Sequence, residues 1–234
     1  MNFSLGVDGC KKGYWLAFAL DKKGGHEIER FPNIEELWQR YREADMILID
    51  TPIGLPDKGD RQCDIEARSL LRNRASSVFP VPCRKAVYAE SYEKARAVNG
   101  KGFSIQTWCI TPRIRQVDTF LLANKSARLK VKEVHPELCF RALNKLYPSL
   151  NSKHVPDGIM ERLRVLSSVL PESEKIYSEA EKGFLRKEVA RDDILDALVA
   201  AFTALHGDSL RTIPEKPDLD SYGLPMQISY YQPG

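Results

Sequence analysis

Two aspartates close short apolar runs: Asp8 follows Leu5-Gly6-Val7, and Asp50 follows Met46-Ile47-Leu48-Ile49. A second pair, Asp193 and Asp196, opens the last long apolar segment of the chain. On a helix, at about 100° per residue, these two lie about 60° apart, so both carboxylates can aim at one point. Four carboxylates brought together from three stretches repel one another unless protons or cations intervene. Hard oxygen donors of this kind suit Mg²⁺ or Mn²⁺. Two such ions, about 3.5–4 Å apart, can clamp a phosphodiester between an attacking water and a leaving oxygen. The expected metal ligands and catalytic acids are therefore Asp8, Asp50, Asp193 and Asp196.

Plainer roles compete with this one. Asp8 and Asp50 could simply form turns, and Asp192 and Asp193 could stabilise a helix N-terminus by about 0.3–1 kcal/mol each. Asp196, one turn further in, is left without a reason by that account.

The elements that must position these acids are legible. Phe3, Leu5 and Val7 alternate as in a strand, and Tyr14–Leu20 and His26–Phe31 follow as two more across Gly-containing turns, an antiparallel meander. Asn33 and Glu36 form a helix-start signature, with Ile34, Leu37, Trp38 and Tyr41 on one face. Met46–Ile49 is the uninterrupted apolar run of a strand buried on both faces. Helices are expected over Arg61–Arg72, from Ser91 to Gly100, and over Pro112–Ala123 with Thr111 as N-cap. A fifth strand is expected over Leu129–Val134, then helices over Pro136–Lys145, Asp157–Val169, Glu172–Glu181 and Val189–His206. Met226–Tyr231 ends the chain as an edge strand. Along the last long helix Ala197, Ala200 and Ala204 continue the acidic side, a stripe small enough for close backbone approach to a neighbour.

The charge is unevenly spread. Between Lys58 and Lys132 there are 16 Lys and Arg against 6 Asp and Glu, a local net charge of +10 in a chain whose total is +3. Such a bias suits a polyanionic partner, or a solvated basic face. Within it Arg61, Arg68, Arg74 and Arg84, with Ser76 and Ser77, have the chemistry to grip phosphates. An internal ion pair is the alternative for Arg61 or Arg68, since Asp64 lies on the same helix face. Phe103 and Trp108 could stack on bases or belong to the core.

Five cysteines and four histidines are dispersed without metal-ligand spacing, which argues against a disulfide framework and a zinc site. The apolar stretches fall far short of the ~20 residues of a membrane helix. The N-terminus lacks the charged-then-apolar order of a signal sequence. A cytoplasmic protein with no membrane partner is expected, and its 234 residues suit one domain, with residues 57–130 as a basic, mostly helical insertion.

The order meander, helix, strand, later strand, terminal helix resembles the ribonuclease H-like fold. Asp193-x-x-Asp196-Ala197 resembles the last-helix motif of Holliday-junction resolvases. More closely, Gly6-Val7-Asp8-Gly9-Cys10, Ile49-Asp50-Thr51-Pro52-Ile53-Gly54-Leu55-Pro56, Arg61-x-Cys63-Asp64-x-x-Ala67-Arg68, Arg74-x-Ser76-Ser77-Val78-Phe79, Pro82-x-Arg84 and His135-Pro136-Glu137 resemble a largely uncharacterised family of predicted RNase H-like nucleases. The resemblance implies an α/β fold with a mixed five-stranded sheet flanked by helices, and a metal-dependent nuclease acting on DNA or RNA. It adds His135 to the candidate substrate contacts. Strand 4 of the resolvases usually ends in Glu, one methylene longer than Asp50, so Glu137 is expected to supply the missing reach or to serve as a first-turn helix acid. Two other readings compete: one half of an actin-like or sugar-kinase ATPase, which would require a homodimer, and a nucleic-acid-binding module without catalysis.

Overall fold

The computed structural model describes residues 3–100, 102–144, 151, 153 and 155–234. Strands β1 (Phe3–Gly9), β2 (Trp15–Asp21) and β3 (His26–Phe31) form the antiparallel meander. Helix α1 (Ile34–Tyr41) follows; the Asn33 side chain accepts from the Glu36 N–H and its own amide donates to the Glu36 carboxylate, each at 2.8 Å. Strand β4 (Ile47–Ile49) then lies parallel to β1, and β5 (Val131–Glu133) parallel to β4. The sheet order is β3-β2-β1-β4-β5, a mixed sheet flanked by helices and consistent with the ribonuclease H-like description.

Strand alternation divides the core. Leu5, Val7, Ala17, Ala19, Ile47 and Ile49 face α1 and α5 (Ile105–Ala123). Leu16, Phe18, Leu20 and Leu48 face the other way, toward α7 (Pro136–Leu143), α8 (Pro156–Ser167), α9 (Ser173–Gly183) and α10 (Arg191–Ala204). Because side chains alternate along a strand, Gly6 and Asp8 point to the second face, as Leu48 and Asp50 do. Helix α10 packs against that face of β1, where Gly6 lets its backbone come close.

Between β4 and β5 run α2 (Gln62–Leu71), a 3₁₀ segment over Arg72–Ser77, α3 (Arg84–Val87), α4 (Tyr92–Asn99), α5 and α6 (Lys125–Lys130). Helix α5 begins a full two turns before the expected Thr111–Pro112 start. Ser104 is its N-cap, accepting from the Thr107 N–H at 3.1 Å. Pro112 lies inside the helix; it has no N–H for the Trp108 carbonyl, and the Thr111 hydroxyl donates to that carbonyl at 2.8 Å instead.

The fifth strand is shorter than expected because Leu129 and Lys130 belong to α6. Val134 bridges to Ser229. In the tail the expected edge strand is present as β7 (Ile228–Tyr231), and it pairs antiparallel with β6 (Leu210–Ile213), a strand the sequence did not reveal. The expected helix end at Lys145, together with His154 and the first two residues, lies outside the described residues. Among the described residues no helix is long and apolar enough to cross a membrane.

Candidate active site

Asp8 sits near the carboxyl end of the central strand β1, and Asp50 directly follows β4. The Asp50 N–H donates to the Val7 carbonyl at 2.9 Å, so the two acids leave adjacent parallel strands on one face. Asp196 occupies the second turn of α10, the helix packed on that face. One carboxylate oxygen from each of Asp8, Asp50 and Asp196 lies within 4.8 Å of the others. Asp8 is 9% exposed and Asp196 2%. The Gly9 N–H donates to Asp8 Oδ1 at 2.6 Å.

Two like charges 4 Å apart at an effective dielectric of 20 repel by about 4 kcal/mol. Burial first, and then Asp50 and Asp196, push the Asp8 carboxyl well above the usual range. Burial, then Asp196, raises Asp50 to about 7. Asp196 is also raised by burial, against the opposing charge of Lys153. Three hard carboxylates in this arrangement can hold a metal ion. The fit is supported by Asp196 Oδ1, which is buried without a hydrogen-bond partner among the described residues.

Asp193 is not one of the three. Its Oδ2 accepts from the Ala190 N–H at 2.9 Å, the third helical residue reaching back to the N-cap amide. Burial raises it to about 6. Glu137 lines the same cleft, but Arg162 Nη2 donates to both its oxygens at 2.6 and 2.8 Å, and Arg74 approaches at 3.4 Å. The reach expected of Glu137 is thus directed to a buried guanidinium rather than to the cluster.

The cleft above the carboxylates has a volume of about 490 Å³. Arg74, Arg113 and Lys153 bring positive charge to it, and Ser76, Ser77 and His135 line it too. His135 Nε2 lies 3.3 Å from the Ser77 carbonyl, and burial lowers the imidazole pKa.

The other candidate phosphate contacts are placed differently. Arg61 is 1% exposed; its guanidinium donates to Asp64 at 2.6 Å and to both oxygens of Glu133 at 2.7 and 2.8 Å. Arg84 is buried between Asp118 and Asp220 and stacks over Tyr222. Both are internal struts, because two carboxylates enclose each charge and leave no donor facing the cleft. Exposed Arg68 donates to the Val78 carbonyl and does not line the cleft. Phe103 and Trp108 pack on each other and on Tyr92, so both belong to a small satellite core.

Lys153, Arg113 and Arg162 carry no pattern in the sequence that marks them. Arg113 has one indirect signal, Gly9: a Cβ there would lie 2.6 Å from the Arg113 guanidinium carbon. Arg113 also donates to the Cys10 carbonyl.

Searches of curated proteins and of solved structures find no significant match. One family model does match, and it spans nearly all of the elements that build the cleft. The chain belongs to the family described as protein of unknown function (DUF429), whose model covers residues 6–219.

Proposed function

We propose that the protein is a divalent-metal-dependent phosphodiesterase acting on nucleic acid, a nuclease of the RNase H-like kind. The observation that carries this reading is the convergence of Asp8, Asp50 and Asp196 to within 4.8 Å of one another in a cleft that also collects Arg74, Arg113 and Lys153. An all-carboxylate donor set favours Mg²⁺ or Mn²⁺ over softer metals. Carboxylates beside cations on one cleft wall match what a phosphodiester requires, with an oxygen cage for the cation and positive groups for the non-bridging oxygens.

Asp8, Asp50 and Asp196 would hold the cation, which supplies a Lewis acid and an acidified water to the reaction. The chain's own contribution is positional. Arg74 and Arg113 bind and orient the phosphate, and the walls made by Phe79, Ile110 and Ile114 limit water around it. The two-ion arrangement that the order of acids suggests would need a second carboxylate set. Asp193 and Glu137, the acids nearest to forming one, are held by Ala190 and Arg162.

The test is hydrolysis of single-stranded, duplex and branched oligonucleotides with Mg²⁺ or Mn²⁺, comparing the native protein with Asp8→Asn. Metal-dependent cleavage that disappears in the variant is expected. Cleavage that survives the substitution removes the reading.

A further inference from the structure

We propose that the carboxylate centre takes a single divalent cation per chain, and that the Lys153 ammonium is its built-in second positive charge. This rests on the phosphodiesterase reading for its purpose, but not for its geometry.

Lys153 reaches the cluster from outside α10 and binds Asp196 Oδ2, with Asp192 Oδ2 at 3.9 Å one turn away. It is not a surface lysine that happens to pass by: its side chain is 24% exposed and lines the cleft. The two oxygens of Asp196 are therefore in different states. Oδ2 has an ammonium, and Oδ1 is buried with no hydrogen-bond partner among the described residues. A cation shared with Asp8 and Asp50 is what Oδ1 lacks.

Charge balance favours one ion. Asp8, Asp50 and Asp196 together carry three negative charges when ionised. Lys153 offsets one, and a divalent cation offsets the other two. A second divalent ion would sit about 3.5–4 Å from the first. It would add two positive charges beside an ammonium already seated on Asp196. At the short separation of such a pair that repulsion is large, and the carboxylates nearest to ligating a second ion point elsewhere, Asp193 to the Ala190 N–H and Glu137 to Arg162. Lys153 thus occupies Asp196 Oδ2, an oxygen a second cation would need, and would offer the substrate phosphate a fixed charge instead.

The experiment is a Mn²⁺ titration of the full chain by calorimetry, with bound Mn²⁺ counted independently by electron paramagnetic resonance. The native protein is expected to take one ion, and Asp8→Asn to lose it. Lys153→Met, which removes the competing charge, should bind the first ion about tenfold tighter and take up a second. Lys153→Arg, which keeps the charge, should still stop at one. Two ions of comparable affinity in the native protein, or an unchanged titration in Lys153→Met, would overturn the proposal. One ion without any hydrolysis would leave it standing while removing the nuclease reading; two ions with hydrolysis would do the reverse.

Discussion

The Ala197 carbonyl oxygen lies 2.1 Å from the point where a Cβ on Gly6 would sit, and the Ala201 nitrogen lies 2.0 Å from it. Both obstacles are backbone of α10, so neither can swing aside. Gly6 is what lets the helix carrying Asp196 settle two residues from Asp8. Gly6→Ala should cost more than about 3 kcal/mol, above the usual range for overpacking. For a chain of this length that lowers Tm by about 10 °C. A thermal melt of the variant checks it; a native Tm would mean that α10 is not held this closely.

Asp8→Asn replaces a carboxyl whose ionised form burial and the neighbouring Asp50 and Asp196 disfavour. Without metal the variant should be more stable than the native protein at neutral pH, by about 1 kcal/mol, or about 2–4 °C in Tm. Saturating Mg²⁺ should raise the Tm of the native protein and leave the variant unmoved. Parallel melts with and without Mg²⁺ read both effects.

The pH dependence of the metal-free protein has a definite sign. Asp50 is raised from 3.8 in the unfolded chain to about 7 in the fold, so the folded state binds more protons between these values. The stability this contributes is complete below pH 3.8 and is lost as pH rises through about 7. His135 has the opposite sign: burial lowers its pKa from 6.5, and its contribution is lost as pH falls below that value. Tm of the metal-free chain should therefore decline as pH rises from about 6.5 through about 7 and level off above it. His135→Gln should leave that decline in place, and Mg²⁺ should abolish it.

Arg61→Met leaves Asp64 and Glu133 buried without their guanidinium. Breaking a buried ion network this way costs about 3–5 kcal/mol. Denaturant unfolding should show that loss, while Mn²⁺ binding per folded molecule stays native. A variant of native stability would show that Arg61 is not a strut.

Arg74→Ala acts elsewhere. Its side chain is 24% exposed at the cleft, so stability should change by less than about 1 kcal/mol. Oligonucleotide affinity should fall, and the slope of log affinity against log salt should drop by about 1. An unchanged slope would remove Arg74 from the phosphate contacts.

What the sequence determined by itself was everything carried by short-range period. Alternation in Phe3–Gly9 and the apolar run ending at Ile49 put Asp8 and Asp50 at neighbouring strand ends, and helical spacing with an alanine stripe aimed Asp196 at them. Periodicity sets which face a residue occupies, and that is a local property. The tertiary structure decided which charges meet. Arg61 and Arg74 lie in the same basic stretch and look alike there; one is enclosed because Glu133 arrives from 72 positions away, and the other borders the cleft. Asp193 and Asp196 share a helix side, yet the first reaches back to the N-cap amide of Ala190. Lys153 meets Asp196 across 43 positions, and Arg162 comes from α8, whose location follows from packing on α7 and α10. Ion pairs form between groups remote in the chain, and no pattern within a window of sequence encodes which pairs will close.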